Sequence, residues 1–326
     1  MAEAPPAASD RLTQDYDLLR DSSAIVELPP LAIIELAGED RKGWLQGQAT
    51  NDVRQLDLGA STRFCFCEPT GQILAICEIW SLKDRFIVTC PRARAEAVLQ
   101  RVETMVVMED VVARDLTGEF ALISVQGPQA TRALAEHLIL PLLDAAETEF
   151  EKSSVLTLRS DRTGSGGWDL LIPAEARKAQ TAIRKPFETV SLEAYMVARL
   201  EAGVPLLDKD YTAKTMPPEL GMAFEASHVD YRKGCYTGQE VLMRIHSRGH
   251  TNRTWMGLRA EEPLTEGAAV THMGAEVGHV TSAGFSPDFG YIGAAILRNQ
   301  AAAERETVDA GGVTAEVRRM PLLRYE

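Results

Sequence analysis

The chain has 326 residues, 45% of them hydrophobic and 25% charged, with a formal net charge of −13. That length allows two or three separate cores, and the composition fits a globular chain while excluding a collagen-like or mainly disordered one. No apolar run approaches the roughly 20 residues that span a bilayer, and the acid excess opposes non-specific binding to nucleic acid or anionic membrane. Neither membrane insertion nor direct nucleic-acid binding is therefore expected. Five cysteines without a CxxC pair argue against a disulfide scaffold; they predict a reducing, cytoplasmic setting.

Residues 1–20 begin with an Ala/Pro-rich run that has neither a basic start nor an apolar h-region, and they read as a flexible leader. A strand is predicted over 31–36, then a helix whose first turn carries Glu39 and Asp40 and whose apolar side carries Trp44, Leu45 and Ala49. Strands follow over 62–67, 73–82 and 85–89, the first two separated by the turn signal Glu68-Pro69-Thr70-Gly71. Pro91 opens a helical stretch over 92–102. A second unit of the same kind begins with a strand over 120–125, and Gly127-Pro128 leads into a helix over 129–138. Strands over 155–158 and 168–172 and helices over 174–189 and 192–202 complete it, the last stopped by Gly203 and Pro205. From Thr254 onward short strands alternate with Gly- and Pro-rich turns, as in a small β-barrel. The expected fold class is α+β. Its parts are two α+β units, about 21–117 and 118–252, and a barrel over 253–326.

The segment Tyr231 to Arg253 carries Arg232, Lys233, Arg244, Arg248 and Arg253 against Glu240 alone, a local +4 within an acidic chain. Two readings are open: a site for a phosphate or carboxylate, or a solvated basic surface. Cys235 lies between Gly234 and Tyr236, and Thr237-Gly238-Gln239-Glu240 has the form of a capping box. A helix N-terminus and the neighbouring cations would favour thiolate, so a reactive thiol competes with an inert core cysteine. Cys65 and Cys67 share a face of one predicted strand, with Cys77 and Cys90 on neighbouring strands; their apolar company points to buried structural thiols. Gly249 between His246 and His250 spoils a helical zinc pair, and no metal site is expected.

The string Lys233-Gly234-Cys235-Tyr236-Thr237-Gly238-Gln239-Glu240 resembles the KGCYxGQE signature of the YgfZ family. Shorter stretches resemble the wider T-protein superfamily: Leu45-Gln46-Gly47 with Thr50-Asn51-Asp52-Val53, then Gln126-Gly127-Pro128, and Arg199-Leu200-Glu201-Ala202-Gly203. The resemblance implies two intertwined ferredoxin-like units and a C-terminal barrel around a pocket for tetrahydrofolate or a one-carbon derivative. It implies iron–sulfur enzymes, including those that thiomethylate tRNA, as clients, and Cys235, the reactive thiol expected from its neighbours, would be the group that serves them. Glu201 would hold the pterin, with Arg199, Lys233, Tyr236, Gln239, Arg248 and Arg253 as the other candidate folate contacts. Glycine-cleavage T-proteins carry adjacent aspartates where this chain has Ala75 and Ile76, neither of which can move a proton. Aminomethyl transfer of that kind is therefore not expected. A folate-dependent methyl- or aminomethyltransferase and a non-catalytic folate-sensing scaffold are the alternatives.

Overall fold

A computed structural model of the protein describes residues 9–249 and 251–323; His250 and residues 1–8 of the expected leader lie outside the described residues. The rest of the expected leader is not loose chain. It forms α1 (Asp10–Asp21), whose N-terminus is capped by Ser9 Oγ accepting from the Leu12 N–H at 3.1 Å. Leu12, Tyr16 and Leu19 recur at helical spacing and are buried, a narrow apolar stripe in an otherwise charged sequence.

The chain then runs through β1 (Ala24–Val26), β2 (Leu31–Ala37), α2 (Arg41–Gln46), β3 (Ser61–Cys67), β4 (Ile73–Ser81), β5 (Arg85–Pro91), α3 (Ala95–Met105) and β6 (Val112–Asp115). The second unit runs β7 (Phe120–Gln126), α4 (Ala130–Ala135), β8 (Ala145–Phe150), β9 (Ser153–Arg159), β10 (Gly167–Pro173), α5 (Arg177–Arg184) and α6 (Leu192–Glu201). The chain continues through α7 (Met222–His228) and α8 (Gln239–Arg248). Helix α5 is shorter than the predicted 174–189 because Pro186 has no N–H to continue it.

Two five-stranded antiparallel sheets result, in the orders β3-β4-β5-β2-β6 and β1-β7-β10-β9-β8. Strand β1 precedes β2 in the chain yet pairs with β7, Ile25 opposite Val125, so the two units are interlaced. One face of the first sheet packs Ala75, Cys77, Ile79 and Val88 with α2 and α3 residues such as Trp44 and Val98. The opposite face presses Ile33, Trp80 and Ile87 onto Leu156, Leu158 and Leu171 of the second sheet. Antiparallel sheets with segregated helices give an α+β fold, as expected.

The closed barrel has the order β11-β14-β13-β12-β15-β16, where β11 is Arg253–Ala260, β12 Ala269–His272, β13 Ala275–Ser286, β14 Gly290–Arg298, β15 Thr307–Ala310 and β16 Val313–Arg318. Closure leaves no free edge among these strands. Trp255 of β11 is buried with Val197 and Leu200 of α6, joining the barrel to the sheet region. Among the described residues, no helix is long and apolar enough to cross a membrane.

Candidate functional site

A cavity of about 620 Å³ lies between the first sheet, the segment after α6, and α7. Leu28, Pro29, Leu220 and Pro321 supply apolar walls. Ile76, Glu78 and Thr89 line it from β4 and β5, and Arg63, Asp161 and Arg162 carry charge into it. The size is that of a small-molecule site, and the mix of apolar walls with a few polar groups is what such sites use to orient a ligand.

Period-two alternation along β4 decides which side chains reach this space. Ile76 and Glu78 share the cavity side, whereas Ala75 is packed in the core with Phe64 and Val98. Glu78 stands opposite Arg63 in the β3–β4 register. Its carboxylate meets Arg63 Nε at 3.4 Å and Arg162 Nη1 at 3.3 Å, and it accepts from Ser160 Oγ at 2.7 Å. Arg162 turns its other edge to Asp169, 2.6 Å away. Across the cavity, the His228 ring stacks on Phe224 at a centroid distance of 3.8 Å, its Nδ1 within 2.8 Å of Ser227 Oγ and 3.0 Å of the Phe224 carbonyl. Burial holds the imidazole neutral, with its pKa depressed to about 3.

None of the eight residues singled out from the sequence lines this cavity. The Glu201 carboxylate is fully buried but turns toward α1, where it pairs with Arg20 and accepts from Tyr16 Oη at 3.0 Å. Burial raises its pKa, against the opposing pull of Arg20. Only its neighbours Ala202 and Gly203 reach the cavity wall. Arg199 is equally enclosed: it pairs with Asp210 and donates to Ser282 Oγ at 2.6 Å, bolting α6 to the barrel. Arg253 holds Glu219 through two contacts, of 2.8 and 3.3 Å. Arg232 lies 3.8 Å from Asp230 and Arg244 pairs with Glu240, so most of the basic segment is neutralised internally. Gln239 and Arg248 lie at the two ends of α8, away from the cavity.

The segment around Cys235 is instead a buttressed surface loop. Lys233 is buried, and its ammonium donates to the carbonyls of Gln46 and Asn51 at 2.8 and 2.9 Å and also to that of Ala49. Its Nζ sits 5.1 Å from the centre of the buried Tyr236 ring. The expected capping box does not form. Gly238, at φ 86°, is the N-cap of α8, and a Cβ there would come 2.6 Å from the Glu68 carbonyl oxygen. Thr237 Oγ1 turns to Gln48, 3.4 Å away. With Lys233 and Tyr236 pinned on either side, Cys235 is exposed, while Cys65, Cys67, Cys77 and Cys90 are buried.

Burial pushes the Cys65 and Cys77 thiols up and raises Cys67 to about 12. Limited alkylation of the native protein near neutral pH should accordingly modify Cys235 about 100-fold faster than the four sheet cysteines. Peptide mass spectrometry reads each rate, and comparable labelling of any sheet cysteine contradicts this protection. Among the described residues, no group of three or more His, Cys, Asp or Glu is placed to hold a metal ion.

Comparison with known proteins accounts for the architecture. The GCVT N-terminal domain family matches residues 4–229, and the glycine cleavage T-protein C-terminal barrel domain matches residues 253–323. The chain belongs to the glycine cleavage T-protein family. This T-protein-family chain has the fold of the glycine cleavage system aminomethyltransferase T from Bartonella henselae, with a TM-score of 0.85 at 22% identity over 96% of this chain and 89% of that one. It is 27% identical to the tRNA-modifying protein YgfZ of Enterobacter sp. (strain 638) over 70% of this chain and 69% of the relative. It is also 27% identical to an aminomethyltransferase of Parafrankia sp. (strain EAN1pec) over 91% of this chain and 84% of the relative. Identity alone thus does not separate the two kinds of T-protein relative.

The cavity residues Arg63, Glu78, Arg162 and His228 were not singled out from the sequence. A usable signal was present in the strands. Arg63 interrupts STRFCFC and Glu78 interrupts ILAICEIWS, two charges of opposite sign in otherwise uncharged strands.

Proposed function

We propose that this T-protein relative binds tetrahydrofolate, or a one-carbon derivative of it, and supports iron–sulfur enzymes of the cytoplasm through Cys235, tRNA-thiomethylating enzymes among them. The observation that carries this reading is the construction around Cys235, where a buried ammonium and a buried ring fix a loop that presents one thiol to solvent. A structural cysteine needs no such presentation.

The cavity fits the cofactor class. Apolar and aromatic walls suit a flat heteroaromatic ring, Glu78 offers a buried acceptor, and Arg63 offers positive charge to an anionic tail. Tetrahydrofolate, when bound, supplies a carrier for a one-carbon unit. The chain's own contribution is to enclose and orient it. Ile76 on the cavity face and Ala75 in the core leave no carboxylate at either position, which argues against glycine-cleavage chemistry.

The test is genetic and biochemical together. In a host lacking this chain, the wild type should restore iron–sulfur enzyme activity, while Cys235→Ala, produced at the same level, should restore several-fold less. Equal rescue removes Cys235 from the function. The matching identity to an aminomethyltransferase supports a second reading, a folate-dependent transferase. Turnover of a one-carbon donor by purified protein, undiminished in Cys235→Ala, would favour it.

A further inference from the structure

The connection between α3 and β6 turns apolar side chains outward. Val107 and Met108 are 82% and 93% exposed, and Met105 at the end of α3 is 41% exposed, while Val106 between them packs on the core. None of the three lines the cavity. Single exposed apolar residues are ordinary, but a contiguous group on a fixed support marks a contact surface.

The support here is fixed. The Glu109 carboxylate accepts from the Val107 and Met108 N–H groups at 3.0 and 3.1 Å. The Asp110 N–H donates to Asp40 Oδ2 at 2.8 Å, and in return Asp110 Oδ2 accepts from the Glu39 N–H at 2.9 Å and its carbonyl from the Asp40 N–H at 3.2 Å. Trp44 Nε1 donates to the Met105 carbonyl at 3.3 Å. Apolar groups held this way lose little freedom when a partner covers them.

Charge and backbone together define that partner. Residues 102–112 carry Glu103, Glu109 and Asp110 and no cation, and the contacts just described bring Glu39 and Asp40 alongside; all five acids are exposed. The flanking cations are engaged elsewhere. Arg41 donates to the Gly38 and Lys83 carbonyls, Lys42 faces Asp57, Arg101 pairs with Glu68, and Arg114 lies between Glu35 and Glu119. An added strand would find few donors, because the N–H groups of Val106, Val107, Met108, Asp110 and Val111 are already bound. Recognition therefore falls to side chains, as in helix-to-groove contacts.

We propose that the 105–110 loop is a docking surface for another protein, whose contact element is a basic amphipathic helix. Its apolar stripe covers Met105, Val107 and Met108, with the methionines adapting to its shape, and its Lys and Arg residues face the surrounding acids. The surface is separate from the cavity, and the proposal does not depend on the folate reading.

Fluorescence anisotropy at physiological salt, with a fluorescein-labelled peptide of Leu and Lys patterned as an amphipathic helix, tests this. A peptide of the same composition in strict alternation carries equal charge without the helical stripe. Wild type should bind the helical peptide about 10-fold more tightly than the alternating one. Val107→Ser with Met108→Ser should weaken the helical peptide about 10-fold, and Glu39→Lys with Glu103→Lys should weaken it several-fold and flatten its salt dependence. These four side chains are exposed, so melting temperatures should stay at the wild-type value. Ile139→Ser with Leu142→Ser, a comparably exposed apolar pair on the second unit, should bind as wild type does. Equal binding by all variants, or of both peptides by wild type, reduces the effect to the net charge of −13 and overturns the proposal. No binding of the helical peptide by wild type overturns it too. Pelleting with phosphatidylcholine vesicles or self-association, lost in the Val107→Ser, Met108→Ser variant and seen without peptide binding, would instead assign the surface to a membrane or to a second copy.

Discussion

Replacing Asp210 with alanine should lower folding stability by about 3–5 kcal/mol, the cost of stranding a buried charge. Asp210 and its partner Arg199 are 0% and 1% exposed. Beyond Arg199, the Asp210 carboxylate accepts from Thr281 Oγ1 and Ser282 Oγ, both at 2.7 Å, and from the Leu206 N–H at 3.0 Å. Its removal therefore leaves a guanidinium, two hydroxyls and an amide without their common acceptor, in a place water does not reach. The network spans α6, the segment after it and β13, so the barrel should loosen from the sheets as stability falls. Denaturant midpoints for wild type and Asp210→Ala measure the loss, and a change below about 1 kcal/mol would mean that the charge is relieved by solvent. The double variant Arg199→Met with Asp210→Leu should recover much of the loss, because apolar groups of similar volume replace a buried ion pair at little net cost.

Acid should destabilise the protein through His228 in a defined window. The folded-state pKa is depressed to about 3 by burial against Phe224, with Arg63 adding a smaller push in the same direction. The unfolded chain takes up a proton near 6.5, so below that pH it binds more protons than the folded state. Stability from this group is complete above about 6.5 and declines by about 1.4 kcal/mol per pH unit as pH falls toward about 3, reaching roughly 3 kcal/mol of loss near pH 4.5. His228→Gln cannot titrate. Its stability should vary less steeply over that range, and superposable pH slopes for the two proteins would show that the imidazole is protonated in the folded state. His228 lines the cavity, but its folded-state imidazole stays neutral above about pH 3, so ligand affinity should hold across that window as long as the protein stays folded.

Local chemistry made much of the fold legible. The turn signal Glu68-Pro69-Thr70-Gly71 separates β3 from β4 as read, with Gly71 at φ 85°, and Gly203 at φ 68° ends α6 as its position implied. These features depend on a few adjacent residues, and a missing Cβ or a fixed φ acts the same wherever the chain goes. Helix α1 escaped because its apolar stripe is narrow and declares itself only against Ala194 and Ala198 of α6. The eight-residue string around Cys235 marked a buttressed surface loop, in which Lys233 and Tyr236 act as internal supports.

What the sequence determined by itself was which residues carry charge, thiol or conformational freedom, and hence the kind of chain this is. Which charges face the cavity was decided only by tertiary structure. Arg20 and Glu201 are 181 residues apart, and Lys233 reaches a carbonyl 187 residues away. Each of these charges would read as an available contact until its distant partner is in place. Glu78, an isolated acid in an apolar strand, gained its place at the cavity only when β3 set Arg63 opposite it and the second unit brought Ser160 and Arg162 alongside. A buried charge needs partners on more than one side, and strands pair according to which face each must bury. No stretch of adjacent residues contains that information.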